Sequence, residues 1–230
     1  MPDEAIFSQE YFVYCKEKWR TAGGKDPLLG RVDGFQIGPR KKERFSMYYR
    51  MTVAGLERDL PICPLNDKLS IAGFVIFGDP ELTVACAREL LAKAPEYDYI
   101  LTAEAKGIPL VHEMARQAGN SKYILARKAP KLYMRDLFSV SVHSITTAKE
   151  QTLYLDGADA ALMKGKKILL VDDVISTGES LKSLEALVEK AGGEVCGRMA
   201  ILAEGDAQER KDLIYLEKLP LFNPDGTVLG

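Results

Sequence analysis

The run from Ile168 to Ser180 restricts what this chain can fold into more than any other segment. Lys167 to Val171 is nearly all apolar after a Gly-Lys-Lys turn, which predicts a central parallel strand buried on both faces. Asp172 and Asp173 follow where that strand emerges, then the small, hydroxylated turn Ser176-Thr177-Gly178-Glu179-Ser180. A helix is predicted next, with Leu181, Leu184, Leu187 and Val188 on one face and Gly192 beyond its end. In open parallel sheets ligands meet the carboxyl ends of strands, so the acid pair is placed to meet one. Within the turn Ser176, Thr177 and Gly178 can direct backbone N–H groups and two hydroxyls, with the adjacent helix N-terminus, toward one point, which suits a phosphate. Two acids repel a phosphate but accept strongly from the vicinal diol of a sugar beside it. Acids that merely cap a helix and solvate a loop account for a bare Asp-Asp pair, but not for strand, acid pair, turn and amphipathic helix in order.

The rest of the chain supports a sheet around that strand. From Asp98 onward, short β-branched runs alternate with amphipathic stretches, the pattern of a parallel sheet covered by helices. Tyr99 to Ala103 reads as a strand, Glu104 to Gly107 as a polar turn, and Pro109 opens a helix carrying Val111, Met114, Ala115 and Ala118 that Gly119 ends. Lys122 to Ala126 is the next strand. Val140 to Ile145 and Gln151 to Leu155 read as two strands joined by Thr146 to Glu150, a candidate mobile lid within the closing segment 133–150. Upstream, Asp79 and Pro80 form an N-cap and first-turn proline for a helix through Leu82, Cys86, Leu90 and Leu91. Residues before about Pro64 show less regular patterning.

Composition excludes several classes. A net charge of −2 gives no global drive toward nucleic acid or acidic membranes, and no apolar run approaches the roughly 20 residues a spanning helix requires. The four cysteines, Cys15, Cys63, Cys86 and Cys196, lie apart without a C-x-x-C pair, and no signal pattern opens the chain, so a cytoplasmic protein with reduced thiols is expected. His112 and His143 lack ligand spacing, and no direct metal site is expected.

The Ile168–Ser180 segment resembles the signature by which type I phosphoribosyltransferases bind 5-phosphoribosyl-1-pyrophosphate (PRPP). The resemblance implies an α/β fold, a parallel sheet flanked by helices with a hood, over residues 67–230, preceded by an N-terminal extension or small subdomain at 1–66. It implies that Asp172 and Asp173 meet the ribose hydroxyls and that Ser176, Thr177, Gly178, Glu179 and Ser180 cradle the 5-phosphate. Thr102 to Ile108 resembles the pyrophosphate loop of the adenine and xanthine enzymes, implicating Glu104, Ala105, Lys106 and Gly107. Arg127, Lys128 and Lys131 resemble the basic strand exit from which those enzymes reach pyrophosphate. Family placement puts the base near Phe74, Val75, Ile76 and Phe77, with Leu219, Leu221 and Phe222 as further apolar candidates.

The chain departs from its apparent relatives in three places. Thr146 stands where adenine-type enzymes carry a loop glutamate, with Glu150 displaced nearby. Phe74 to Gly78 lacks the asparagine that xanthine-type enzymes use there, and the first 66 residues exceed what either enzyme needs. The expected function is phosphoribosyl transfer from PRPP to a purine-type base by a homodimer, with Mg2+ held mainly by PRPP and water. The rivals are a PRPP-sensing regulator resembling the purine repressor, for which Arg40 to Arg44 would be the nucleic-acid contact although Gly34, Gly38 and Pro39 break a helix-turn-helix there and favour a solvated loop, and an enzyme for a pyrimidine or a specialised heterocycle.

Overall fold

The computed structural model describes residues 47–143 and 150–229. Arg40 to Arg44, most of the expected extension and Ser144 to Lys149, which include most of the lid candidate, therefore lie outside the described residues. Five parallel strands form the central sheet: β4 (Tyr99–Ala103), β5 (Ile124–Ala126), β8 (Lys167–Ile175), β9 (Glu194–Glu204) and β10 (Ile214–Leu219). Their spatial order is β10-β9-β8-β4-β5. The chain order thus reverses between β4 and β8, where connections leave in opposite directions and a crevice opens at the carboxyl ends.

The apolar run predicted as a central strand is β8. Ile168, Leu169, Leu170 and Val171 are all at most 1% exposed, and they alternate between two cores as a strand's period of two requires. Leu169 and Val171 join the core containing Leu82, Leu90, Leu110 and Met114, from the helices α1 (Pro80–Leu91) and α2 (Ile108–Ala118). Ile168 and Leu170 join Leu181, Leu184, Leu187 and Val188 of α4 (Glu179–Lys190), with Met163 of α3 (Gly157–Met163). The strand is longer than its apolar run predicts. It continues through Asp172 and Asp173 to Ile175, pairing Asp172 with Ala200 and Ile175 with Ala203. Ladder hydrogen bonds use only the backbone, so polar side chains do not end a strand that has a neighbour to pair with.

Helix ends follow the predicted chemistry. Asp79 accepts from the Leu82 N–H at 3.0 Å as N-cap of α1, and Gly119 closes α2 in the left-handed region at φ 70°. The strand expected from Lys122 begins at Ile124. The two strands expected on either side of Thr146 are β6 (Phe138–His143), which starts two residues earlier than expected, and β7 (Glu150–Leu155), an antiparallel pair.

Regular structure also occupies the stretch expected to be irregular. β1 (Tyr48–Val53) and β2 (Leu56–Pro64) form a hairpin that continues through β3 (Ser70–Ala72) to β11 (Leu221–Phe222). This antiparallel ladder runs across residue 66. Its inward side chains Met51, Val53, Leu60, Ile62 and Phe222 share a core with α1, and Tyr49 meets Phe222 edge-on with centroids 5.1 Å apart. Arg58 on β2 reaches both Asp79, at 2.6 Å, and Glu81, at 2.9 Å, fastening the hairpin to the start of α1.

The hydrogen bond from Arg58, with the Leu82 N–H, holds the Asp79 carboxyl below its usual range against an opposing effect of burial. Stability drawn from that lowered value is present above the unfolded value and is lost as pH falls through the folded one. Replacing Asp79 with alanine removes cap and ion pair together and is expected to cost about 1–2 kcal/mol at neutral pH. Urea unfolding should show this difference shrinking below about pH 4.

Candidate active site

The crevice between β4 and β8 gathers the residues that the sequence singled out. After β4 the chain turns through Glu104, Ala105, Lys106 and Gly107 into α2, and the Glu104–Ala105 peptide is cis. Gly107 is required by close approach. A Cβ there would overlap Thr102 Oγ1 and stand 3.1 Å from Asp172 Oδ1, so the turn lies directly against β8. Lys106 reaches across, its Nζ 2.8 Å from Asp173 Oδ2.

Asp173 is nearly inaccessible, at 2% exposure. Its Oδ2 is buried and ion-paired with that ammonium, yet without a hydrogen bond. Thr102 Oγ1 is likewise buried without a partner. Buried polar atoms are normally satisfied, and unsatisfied ones mark places where a missing group belongs. Asp172 keeps some surface, but desolvation pushes its carboxyl well above the usual range, and the neighbouring Asp173 charge adds to the effect. Its Oδ1 accepts from the Asp173 N–H at 2.9 Å.

Ser176 to Gly178 leads from β8 into α4. Gly178 is the helix N-cap at φ 75° and offers no side-chain cap, so the first N–H groups of α4 are open to an anion. On the other side of the crevice Glu104 gathers the basic segment. Its carboxylate lies 3.5 Å from Arg127 Nη1 and 3.9 Å from Lys131 Nζ, and accepts from the Lys128 N–H at 3.1 Å. The pyrophosphate-loop candidates and the basic strand exit thus form one cluster.

The apolar candidates divide. Phe74, Ile76, Leu219 and Phe222 are all at most 4% exposed and belong to the core, whereas Val75, Phe77 and Leu221 retain surface. Thr146 lies outside the described residues. Sequence reasoning missed Glu204, the last residue of β9. Burial raises its carboxyl pKa, against hydrogen bonding from the Ser176 side chain and the nearby charge of Lys106. The available signal was a lone acid ending the apolar run Met199 to Ala203 at a strand's carboxyl end. The charge of Lys106, paired with Asp173, thus also bears on Asp172 and Glu204.

Two consequences are measurable. Gly107→Ala is expected to destabilise the fold by about 1–3 kcal/mol through overpacking, and Thr102→Ala in the same chain should recover part of that loss, as a double-mutant cycle would read. Asp172 favours its protonated form in the folded state, so the fold binds more protons than the unfolded chain and its contribution to stability falls as pH rises above about 4. Asp172→Asn should remove that slope and gain stability on the wild type between about pH 5 and about pH 8 in denaturant titrations.

Comparison with known proteins places this arrangement. The model of the phosphoribosyl transferase domain matches residues 81–221. A hypoxanthine/guanine phosphoribosyltransferase of Methanothermococcus okinawensis is 30% identical over 162 residues, 67% of this chain and 84% of its own. A xanthine phosphoribosyltransferase of Bacillus licheniformis is 32% identical over 139 residues, 59% of this chain and 70% of its own. Among solved structures, adenine phosphoribosyltransferase from Trypanosoma brucei superposes with a TM-score of 0.55 at 17% identity, over 74% of this chain and 76% of that one. That from Thermoanaerobacter pseudethanolicus gives 0.52 at 24%, over 62% and 84%. At these identities the structural likeness is one of fold. The sequence matches go further: the chain belongs to the phosphoribosyl transferase domain family.

Proposed function

We propose that the chain transfers the 5-phosphoribosyl group of PRPP to a ring nitrogen of a purine-type base, releasing pyrophosphate, as a nucleotide-salvage glycosyltransferase. The observation that carries this reading is the meeting of Lys106, Asp172 and Asp173 at the strand reversal, beside the uncapped start of α4. Asp172 and Asp173 accept from the ribose hydroxyls, and Ser176, Thr177, Gly178, Glu179 and Ser180 hold the 5-phosphate. Lys106 leaves Asp173 for the pyrophosphate, joined by Glu104 to Gly107 and by Arg127, Lys128 and Lys131.

In the reaction the bond from the anomeric carbon to pyrophosphate oxygen breaks, the electron pair leaves with pyrophosphate, and the base nitrogen bonds to the same carbon while its proton passes to water or to the departing diphosphate. Positive charge develops on the sugar, as in other glycosyl transfers, and the cations stabilise the departing diphosphate. The donors at the crevice are hard carboxylate and hydroxyl oxygens, which fit Mg2+. In this reading the ion would sit mainly on PRPP oxygens and water and neutralise diphosphate charge, with Asp172 and Asp173 nearest.

In this reading residues 67–230 form the phosphoribosyltransferase domain with its hood elements, and residues 1–66 are the extension. The base lies against the 74–77 segment, where Val75 and Phe77 have side-chain surface to offer. The protein is a cytoplasmic homodimer without nucleic-acid or membrane partners. No helix among the described residues is long and apolar enough to cross a membrane.

Hypoxanthine, guanine and xanthine are the first acceptors to test, because the sequence relatives carry those names, with adenine next. The measurement is nucleotide formation and pyrophosphate release from PRPP and Mg2+ across a panel of bases. Turnover with at least one purine is expected, and PRPP binding without turnover on any base would overturn it in favour of a sensing role. Replacing Asp172 and Asp173 together with asparagine should lower kcat/KM by roughly 100-fold or more. A folded double variant with full activity would remove both residues from the site.

A further inference from the structure

Arg210 lies beyond the strand-turn-helix segment, at the end of the short 3-10 helix Gly205–Glu209. Its guanidinium is directed back at the phosphate turn: Nη1 stands 2.8 Å from where a Cβ on Gly178 would be. Nε and Nη2 donate to Asp212 Oδ1 and Oδ2 at 3.0 and 2.8 Å, a bidentate pair that fixes the plane of the group. Asp212 is held from behind by Arg198, 3.4 Å away, which is itself paired with Glu185 at 2.5 Å. Among the described residues Asp212 thus takes up two of the three guanidinium nitrogens, leaving Nη1 as the one facing Gly178.

A helix N-terminus carries partial positive charge and favours an anion beside it. Asp212 and Glu179 already balance the guanidinium, so what Arg210 adds at this point is a directed N–H donor rather than excess charge. The first amides of α4 and a pre-oriented Nη1 lie together beside Gly178.

We propose that Arg210 is a further ligand of the 5-phosphate, held in place by Asp212, and that it sets the preference of this site for a sugar ending in a phosphomonoester. The inference rests on the functional reading above. A guanidinium fixed by one carboxylate can offer its remaining N–H groups to phosphate oxygens at little cost in ordering. It also gives Gly178 a second reason to lack a side chain, since a Cβ would displace Nη1 as well as strain the φ of 75°.

The test is calorimetric titration of the full chain with ribose 5-phosphate and, separately, with pyrophosphate. Arg210→Gln is expected to weaken ribose 5-phosphate by about tenfold or more, as loss of a charged hydrogen-bond partner does, while pyrophosphate stays within about twofold. Arg210→Lys should recover part of the affinity, since charge survives but the fork does not. A second measurement needs no variant: ribose 5-phosphate should slow modification of Arg210 by an arginine-specific dicarbonyl, mapped by peptide mass, and pyrophosphate should not. Unchanged ribose 5-phosphate affinity in Arg210→Gln, equal loss of both ligands, or absence of protection overturns the proposal. A wild-type chain that binds neither ligand takes down the functional reading, and this inference with it.

Discussion

Burial of adjacent carboxylates at the end of a fully covered strand is the constraint around which the crevice is organised. An isolated ion of that depth would cost several kcal/mol, and the fold contains the cost in two ways. Asp172 shifts toward its neutral form, while Asp173 takes the ammonium of Lys106. Lys106 reaches it because Gly107 lets the turn after β4 lie against β8, and β4 lies beside β8 because the chain order reverses there. Acid pair, lysine and glycine therefore form one device, and each would be a defect without the others.

The same device explains why the crevice suits a highly charged ligand. Carboxylates and cations are held near each other but incompletely satisfied, with Asp173 Oδ2 and Thr102 Oγ1 lacking hydrogen bonds. A ligand carrying both hydroxyl donors and phosphate acceptors can satisfy both signs of charge at once. Uniform positive charge would attract phosphates more strongly but would leave nothing to orient the sugar between them.

Much of this was legible from the chain. β8 announced itself by unbroken apolarity, α1 by Asp79 and Pro80, and α2 by Pro109 and Gly119, because these signals act within a few residues. The strand's extension through Asp172 to Ile175 was hidden, since it depends on β9 lying alongside. The hairpin 48–64 was hidden for a related reason: its inward residues are spaced as a strand requires, but charged residues such as Arg50, Arg58 and Asp59 dilute the pattern, and its core partners lie at α1 and β11. Phe74 and Ile76 show the opposite failure. An apolar run looks the same whether it receives a ligand or packs a core, and only burial separates the two. Glu204 and Arg210 lie about thirty positions beyond the motif they approach; the lone acid ending the apolar run of β9 was a faint signal for Glu204, and no local pattern marked Arg210.

The ladder that joins β3 to β11 has a consequence for how the molecule assembles. Leu221 pairs with Ile71 across about 150 positions of chain, whereas β4, β5 and β8 meet neighbours much closer in sequence. Closing so long a loop carries an entropic cost before any contact offsets it. During synthesis the parallel sheet, with its acid pair and phosphate turn, has all its strands before β11 emerges. The pairing of Leu221 with Ile71 and the packing of Phe222 against Tyr49 are then among the last contacts of this ladder to form, completing the core that the hairpin shares with α1.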